Sequence, residues 1–92
     1  MKDAYVVVSG FVQGVGYRKF AKKVAAAIGL TGWVRNVPDG TVEALLQGEE
    51  HIIKKAITSL KKGPFLAEIE HVDVMWSDQK EKLLDFVIRR DS

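Results

Sequence analysis

Apolar positions change their period several times along the chain, and each change marks a structural element. Tyr5 to Val12 (YVVVSGFV) is β-branched and nearly continuous in apolar residues, which predicts a central strand buried on both faces. Gln13-Gly14-Val15-Gly16 breaks that run. Tyr17, Phe20, Ala21, Val24 and Ile28 then follow helical spacing until Gly29 stops it. Trp33 to Val37 predicts a second strand and Pro38-Asp39-Gly40 a tight turn. Val42, Ala44 and Leu46 alternate with Glu43, Leu45 and Gln47 in a third strand. Gly48 opens a second helix whose stripe is Ile52, Ile53, Ala56, Ile57 and Leu60, and Gly63-Pro64 closes it. Val72, Val74 and Trp76 predict the next strand, Ser77 to Lys82 a polar turn, and Leu84, Phe86 and Ile88 a last strand at a sheet edge. Trp33, Trp76 and Phe86 are expected in the core.

The resulting order is β-α-β-β-α-β with one extra strand, and no repeat or linker interrupts it. This predicts an α+β, ferredoxin-like split β-α-β sandwich: an antiparallel sheet of four to five strands with two helices on one face. The topology makes the first and second strands parallel, with the third between them. Their C-terminal ends then share one edge of the sheet, two strand spacings or roughly 10 Å apart. Arg18, just past the glycine loop, and Asn36, near the end of the second strand, can therefore face one small site.

Composition narrows the classes. The 92 residues suffice for a single domain, 1–92. With 47% hydrophobic and 28% charged residues the chain is globular in composition. It has no cysteine, which excludes disulfides, thiolate metal sites and a cysteine nucleophile. The start, Met1-Lys2-Asp3-Ala4, lacks the apolar region of a signal peptide, and no run is long enough to span a membrane, so a cytoplasmic protein is expected.

The net charge of +2 says little, but its distribution says more. From Ala4 to Pro38 there are five cations (Arg18, Lys19, Lys22, Lys23 and Arg35) and no Asp or Glu. The remainder, with nine Lys/Arg against twelve Asp/Glu, is net negative. The second helix has Glu49 and Glu50 at its start and Lys61 and Lys62 at its end, as the helix dipole favours. The first helix has neither an acid nor a capping side chain at its start. Val15 and Gly16 precede it, and cations fill its first turns. A bound anion would satisfy the free N–H groups, the dipole and the cations together, and glycines allow the backbone to wrap closely around it.

Two segments carry a family resemblance. Gly10 to Arg18 reads GFVQGVGYR and Gly32 to Val42 reads GWVRNVPDGTV; at this separation both closely resemble the signatures of the acylphosphatase family. The tail FVIRR, Phe86 to Arg90, resembles that family's C-terminal strand. The resemblance covers essentially the whole chain. It implies hydrolysis of acyl phosphates to a carboxylate and phosphate without metal or cofactor. It implies phosphate binding by the loop Gln13, Gly14, Val15, Gly16, Tyr17 and Arg18, anchoring by Arg18, and water positioning by Asn36. The implied partner is a small acyl phosphate, with inorganic phosphate or sulfate able to occupy the loop. Neither nucleic acid nor a membrane is expected as a partner, and the chain is expected to act as a monomer.

The residues accord with that chemistry. Arg18 offers a fork of donors matching phosphate oxygens. Asn36 offers one acceptor and one donor group, enough to orient a water but not to deprotonate it. A monoester, which expels an alkoxide, would need a general acid, and the acid-free stretch supplies none. An acyl phosphate expels a carboxylate, whose conjugate acid has a pKa near ~4, and needs no such acid. His51 and His71 have no partner at metal-ligand spacing and read as structural or surface residues. Two other readings compete. A binding module that holds a phosphorylated metabolite without cleaving it has no need of Asn36. An RNA-binding domain of similar topology stacks bases on central-strand aromatics, and Thr41 to Gln47 has none.

Overall fold

The computed structural model describes residues 1–90. These form, in order, β1 (Lys2–Phe11), α1 (Tyr17–Ala27), β2 (Thr31–Asn36), β3 (Val42–Gly48), α2 (Glu50–Lys62), β4 (Glu68–Asp78) and β5 (Phe86–Ile88). The five strands make one sheet in the order β4-β1-β3-β2-β5. β3 is antiparallel to both β1 and β2, which are therefore parallel to each other, as the topology requires. β5 adds to the edge of β2 in parallel, through Gly32 opposite Phe86 and Val34 opposite Ile88. The ferredoxin-like sandwich is thus present with a mixed sheet: four antiparallel strands extended by one parallel edge strand. The C-terminal ends of β1, β2 and β5 all lie on one edge.

Both helices cover the same face. Ala4, Val6 and Val8 of β1, Val34 of β2 and Val42, Ala44 and Leu46 of β3 are buried against Tyr17, Ala21 and Ala25 of α1 and Ile53, Ala56, Ile57 and Leu60 of α2. Burying a Val, Leu or Ile side chain contributes roughly 1.5–3 kcal/mol each, so this single layer holds the domain together.

The other face is not covered by a helix, and two expectations are corrected there, with a third corrected at the sheet edge. β1 is buried on one face only; Tyr5 and Val7 are half-buried on the other. Trp33 points to that open face and is half-buried, with the Arg89 guanidinium 4.8 Å above its ring. Trp76, on edge strand β4, is 40% exposed. Of the three expected core aromatics only Phe86 is buried. A continuous apolar run predicted two covered faces, but two helices suffice for only one. On the open face, Glu43 is nearly buried and accepts hydrogen bonds from the Tyr5 hydroxyl and Arg35. The bond to Glu43 holds the Tyr5 phenol above its usual range. His51 and His71 are both exposed. Among the described residues, no helix is long and apolar enough to cross a membrane.

Candidate active site

β1 ends in the segment Val12 to Gly16, which turns the chain into α1. Gly16 is the N-cap of α1, with φ 80° and ψ 18°, a left-handed conformation that glycine adopts without steric cost. A Cβ there would meet nothing within 4 Å, so the requirement is conformational and not one of space. Gly10 is different: a Cβ would come 2.1 Å from the Glu68 carbonyl oxygen, where β1 and β4 change register. Of these two glycines in GFVQGVGYR, one therefore serves the sheet and the other shapes the loop.

The start of α1 leaves its donors open. The first backbone bond into the helix is Phe20 N–H to the Gly16 carbonyl, at 3.0 Å. Among the described residues, no backbone carbonyl outside the regular elements accepts from the N–H groups of residues 14–19. No side chain caps the helix, and its first turn contains no acid. Donors of this kind cost free energy when unsatisfied and attract anions.

The loop is held from two sides. The Gln13 amide donates to the Val37 carbonyl at 2.7 Å and to the Thr41 carbonyl at 2.8 Å. It thereby ties the loop to the β2–β3 turn, one residue beyond Asn36. That turn is itself fixed: Val37 N–H donates to the Thr41 carbonyl at 2.9 Å, and Asp39 accepts from the Thr41 hydroxyl at 2.7 Å and the Thr41 N–H at 2.9 Å. The bond from the Thr41 hydroxyl holds the Asp39 carboxyl below its usual range. On the other side Tyr17, 2% exposed, donates its hydroxyl to the Leu60 carbonyl at 2.8 Å, joining the start of α1 to the end of α2. Burial pushes the Tyr17 phenol well above its usual range, so it stays a neutral donor.

Between these supports lies a cavity of about 370 Å³, lined by Val12, Gly14, Gly16, Tyr17, Arg18, Lys19, Asn36, Ile88 and Arg90. That volume falls within the range of small-molecule sites. Its charged lining is Arg18, Lys19 and Arg90, and no acid lines it among the described residues. Arg18 and Asn36 thus share one cavity, as the strand order suggested. Asn36 is 9% exposed, yet among the described residues its amide hydrogen-bonds to no protein group, and no fully buried side-chain polar atom lacks a partner. The amide is therefore open to the cavity.

Not every residue of the expected loop lines this space. Gly14, Gly16, Tyr17 and Arg18 do; Gln13 and Val15 do not, and the Gln13 side chain is committed to the turn. Four lining residues were not singled out from sequence for the site: Val12, Lys19, Ile88 and Arg90. Lys19 stood among the clustered cations without a role. Arg90 follows a strand whose parallel pairing with β2 brings its end to the loop edge, and the sequence signal was only two arginines after an edge strand.

A larger cavity, about 620 Å³, lies on the open face of the sheet and includes Trp33, Leu45, Gln47, Leu84 and Arg89. Its central polar group is already used: Gln47 accepts from the Thr31 hydroxyl and Leu83 N–H and donates to Asp3 and the Glu81 carbonyl. Asp3, Glu81 and Asp85 line it beside Lys80 and Arg89, so its charges are mixed and, unlike the smaller cavity, it is not free of acid. Size and chemistry select different cavities, and chemistry selects the smaller one. Among the described residues, no group of three or more His, Cys, Asp or Glu could hold a metal ion.

Comparison with known proteins bears on this geometry. The acylphosphatase family model matches residues 4–88. The chain belongs to the acylphosphatase family. An acylphosphatase of Pelotomaculum thermopropionicum is 42% identical over 85 residues, covering 92% of either chain. One from Thermus thermophilus is 45% identical over 79 residues, covering 86% of this chain and 90% of the relative. The crystal structure of the Bacillus subtilis acylphosphatase superposes with a TM-score of 0.95 at 34% identity, covering 97% of this chain and 99% of that one. The protein is a hydrolase of acyl phosphates.

Proposed function

We propose that hydrolysis takes place in the 370 Å³ cavity, with the backbone of Gln13 to Arg18 and the Arg18 guanidinium holding the phosphate and Asn36 positioning the attacking water. The observation that supports this most is the pairing of an unbonded Asn36 amide with Arg18 in one acid-free cavity. An asparagine tied into the protein would be a brace; one whose acceptor and donor both face a cavity can orient a water. Inorganic phosphate or sulfate fills the same cradle.

The chemistry then runs on positioning and charge. The water oxygen bonds to phosphorus as the bond from phosphorus to the acyl oxygen breaks, and the electron pair leaves with the carboxylate. The proton of the water passes to a non-bridging oxygen of the phosphate. Arg18 and the open N–H groups stabilise the charge on the equatorial oxygens, which is where such catalysis resides when no covalent chemistry is asked of the protein. Asn36 holds the water in line.

The test is Asn36→Ala, read by three measurements. With benzoyl phosphate as substrate, kcat should fall by roughly 10²–10³, as when one oxyanion-hole donor is lost. KM, the affinity for inorganic phosphate and the melting temperature should change little. A variant that melts earlier and binds phosphate poorly, with kcat falling only in step, would show that Asn36 is a structural tie and remove it from the mechanism.

A further inference from the structure

The cavity holds more positive charge than the chemistry above employs. Arg18 meets the phosphate, and Lys19 follows it on α1, but Arg90 arrives from a different element. Register explains how. Val34 is opposite Ile88, and two residues beyond each stand Asn36 and Arg90. The ladder continues past β5, since Arg89 N–H donates to the Val34 carbonyl at 2.8 Å. Successive residues of an extended chain point to opposite faces. Arg89 covers Trp33 on the open face, and Arg90 lines the cavity on the other. Ile88, on the same side as Arg90, and Val12 provide the apolar part of the wall.

An acyl phosphate gripped at the start of α1 must lodge its acyl group in what remains of the cavity. That remainder combines an apolar wall with a guanidinium. We propose that Arg90 is a specificity-determining residue that pairs with a second anionic group on the acyl portion, so that the enzyme favours acyl phosphates whose acyl group carries its own carboxylate or phosphate. This rests on the reading of the cavity as the active site. The substrate's anionic acyl group and its phosphate are then held by cations from separate parts of the fold, the segment after β5 and helix α1, which sets their spacing as well as their charge. A neutral acyl group gains the apolar wall but leaves Arg90 without an anion.

The experiment compares three substrates of one shape: benzoyl phosphate, 4-carboxybenzoyl phosphate and 4-phosphonobenzoyl phosphate. The wild-type enzyme should show the higher kcat/KM on the two anionic substrates, and their ratio tells whether a carboxylate or a phosphate is the better fit. Arg90→Gln should lower kcat/KM on the anionic substrates roughly three- to tenfold more than on benzoyl phosphate, as expected for one partly exposed charged contact. The loss should sit in KM, because the contact is equal in ground and transition states. Arg90→Lys should keep part of the preference, and added salt should erode it. An equal loss on all three substrates would make Arg90 a second phosphate ligand and overturn the proposal, as would no loss at all. Arg18→Ala separates this from the underlying reading: if Arg18→Ala turns over benzoyl phosphate normally, the cavity is not the active site. If it is inactive while Arg90→Gln shows no selectivity change, only the Arg90 proposal fails.

Discussion

Helix α2 has Glu49 as its N-cap, carries Glu50 in its first turn and ends on Lys61 and Lys62; helix α1 has Gly16 as its N-cap, carries no acid in its first turn and has no base in its last. Neither start has a side-chain cap. The two helices lie on the same face of one sheet and run through similar apolar stripes, yet their electrostatics are opposed. α2 answers its own dipole, and Glu50 adds an ion pair to Lys54 at 3.1 Å. α1 leaves its dipole unanswered and adds Arg18, Lys19, Lys22 and Lys23 near the positive end. In the first turn, where Arg18 and Lys19 lie, each cation costs about 0.3–1 kcal/mol at an exposed site, and the effect falls off toward Lys22 and Lys23. On the proposed reading, the difference teaches that a helix start arranged against its own stability is a place kept for a ligand of the opposite charge, while a start arranged for stability is scaffold.

The largest effect expected from this comparison belongs to Arg18. On the proposed reading it makes a two-pronged contact with phosphate, and each charge-assisted hydrogen bond contributes about 1.5–3 kcal/mol. Arg18→Ala should therefore lower kcat/KM for benzoyl phosphate by roughly 10²–10⁴. KM should rise because Arg18 already holds phosphate in the ground state, and kcat should fall because the contact strengthens as charge builds on the equatorial oxygens in the transition state. Arg18→Lys should recover little of the loss, because a point charge cannot reproduce a fork. Millimolar phosphate should raise the melting temperature of the wild-type protein, and that gain should vanish in both variants. An Arg18→Ala enzyme that still gains melting temperature from phosphate would move the anion site elsewhere.

How much of this was legible beforehand depended on whether the information was local. Helical and alternating spacings gave every element, and the bare start of α1 was visible as missing acids and caps. Asn36 was reachable because strand order, a global property, follows from element order. Trp33 was misplaced because an apolar strand does not reveal how many of its faces are covered, and Trp76, opposite Ala4 on the helix-covered face, because a strand does not reveal that it lies at the sheet edge. Gln13 reads in sequence as part of a phosphate loop, yet its amide spans to carbonyls 24 and 28 residues away. Arg90 enters the cavity only because β5 pairs with β2 in parallel, a contact between segments some fifty positions apart. Residues placed by such long-range pairing leave no periodic trace.

A charge reversal at the start of α1 sharpens the contrast further. Lys19→Glu gives α1 the acid that α2 already has. The helix itself should benefit by about 0.3–1 kcal/mol, so the melting temperature without phosphate should hold or rise. Phosphate should bind roughly three- to tenfold more weakly, because a screened attraction across the cavity has become a repulsion. Phosphate affinity must fall without a loss of stability. If stability falls while phosphate affinity stays unchanged, Lys19 serves the fold, and the start of α1 is not held in tension with its ligand.

The smallest effect is expected where the comparison assigns no function. Glu50 faces the dipole of α2 and the Lys54 ammonium, but both side chains are half-exposed or more, at 50% and 63%, so solvent weakens both interactions. Glu50→Gln keeps shape and hydrogen-bonding capacity and removes only the charge. The loss should be about 0.5–1 kcal/mol, from the dipole and the i,i+4 pair together. In a domain of this size that lowers the melting temperature by roughly 2–8 °C. High salt should shrink the difference between variant and wild type, since screening acts on both contributions. Kinetic constants on benzoyl phosphate and affinity for phosphate should be unchanged, because α2 begins at the sheet edge opposite the cavity. A Glu50→Gln protein as stable as wild type at low salt would mean that α2 does not use its acid. A shift in phosphate affinity would mean that the two helix starts are coupled through the fold, and the division between scaffold and site would have to be redrawn.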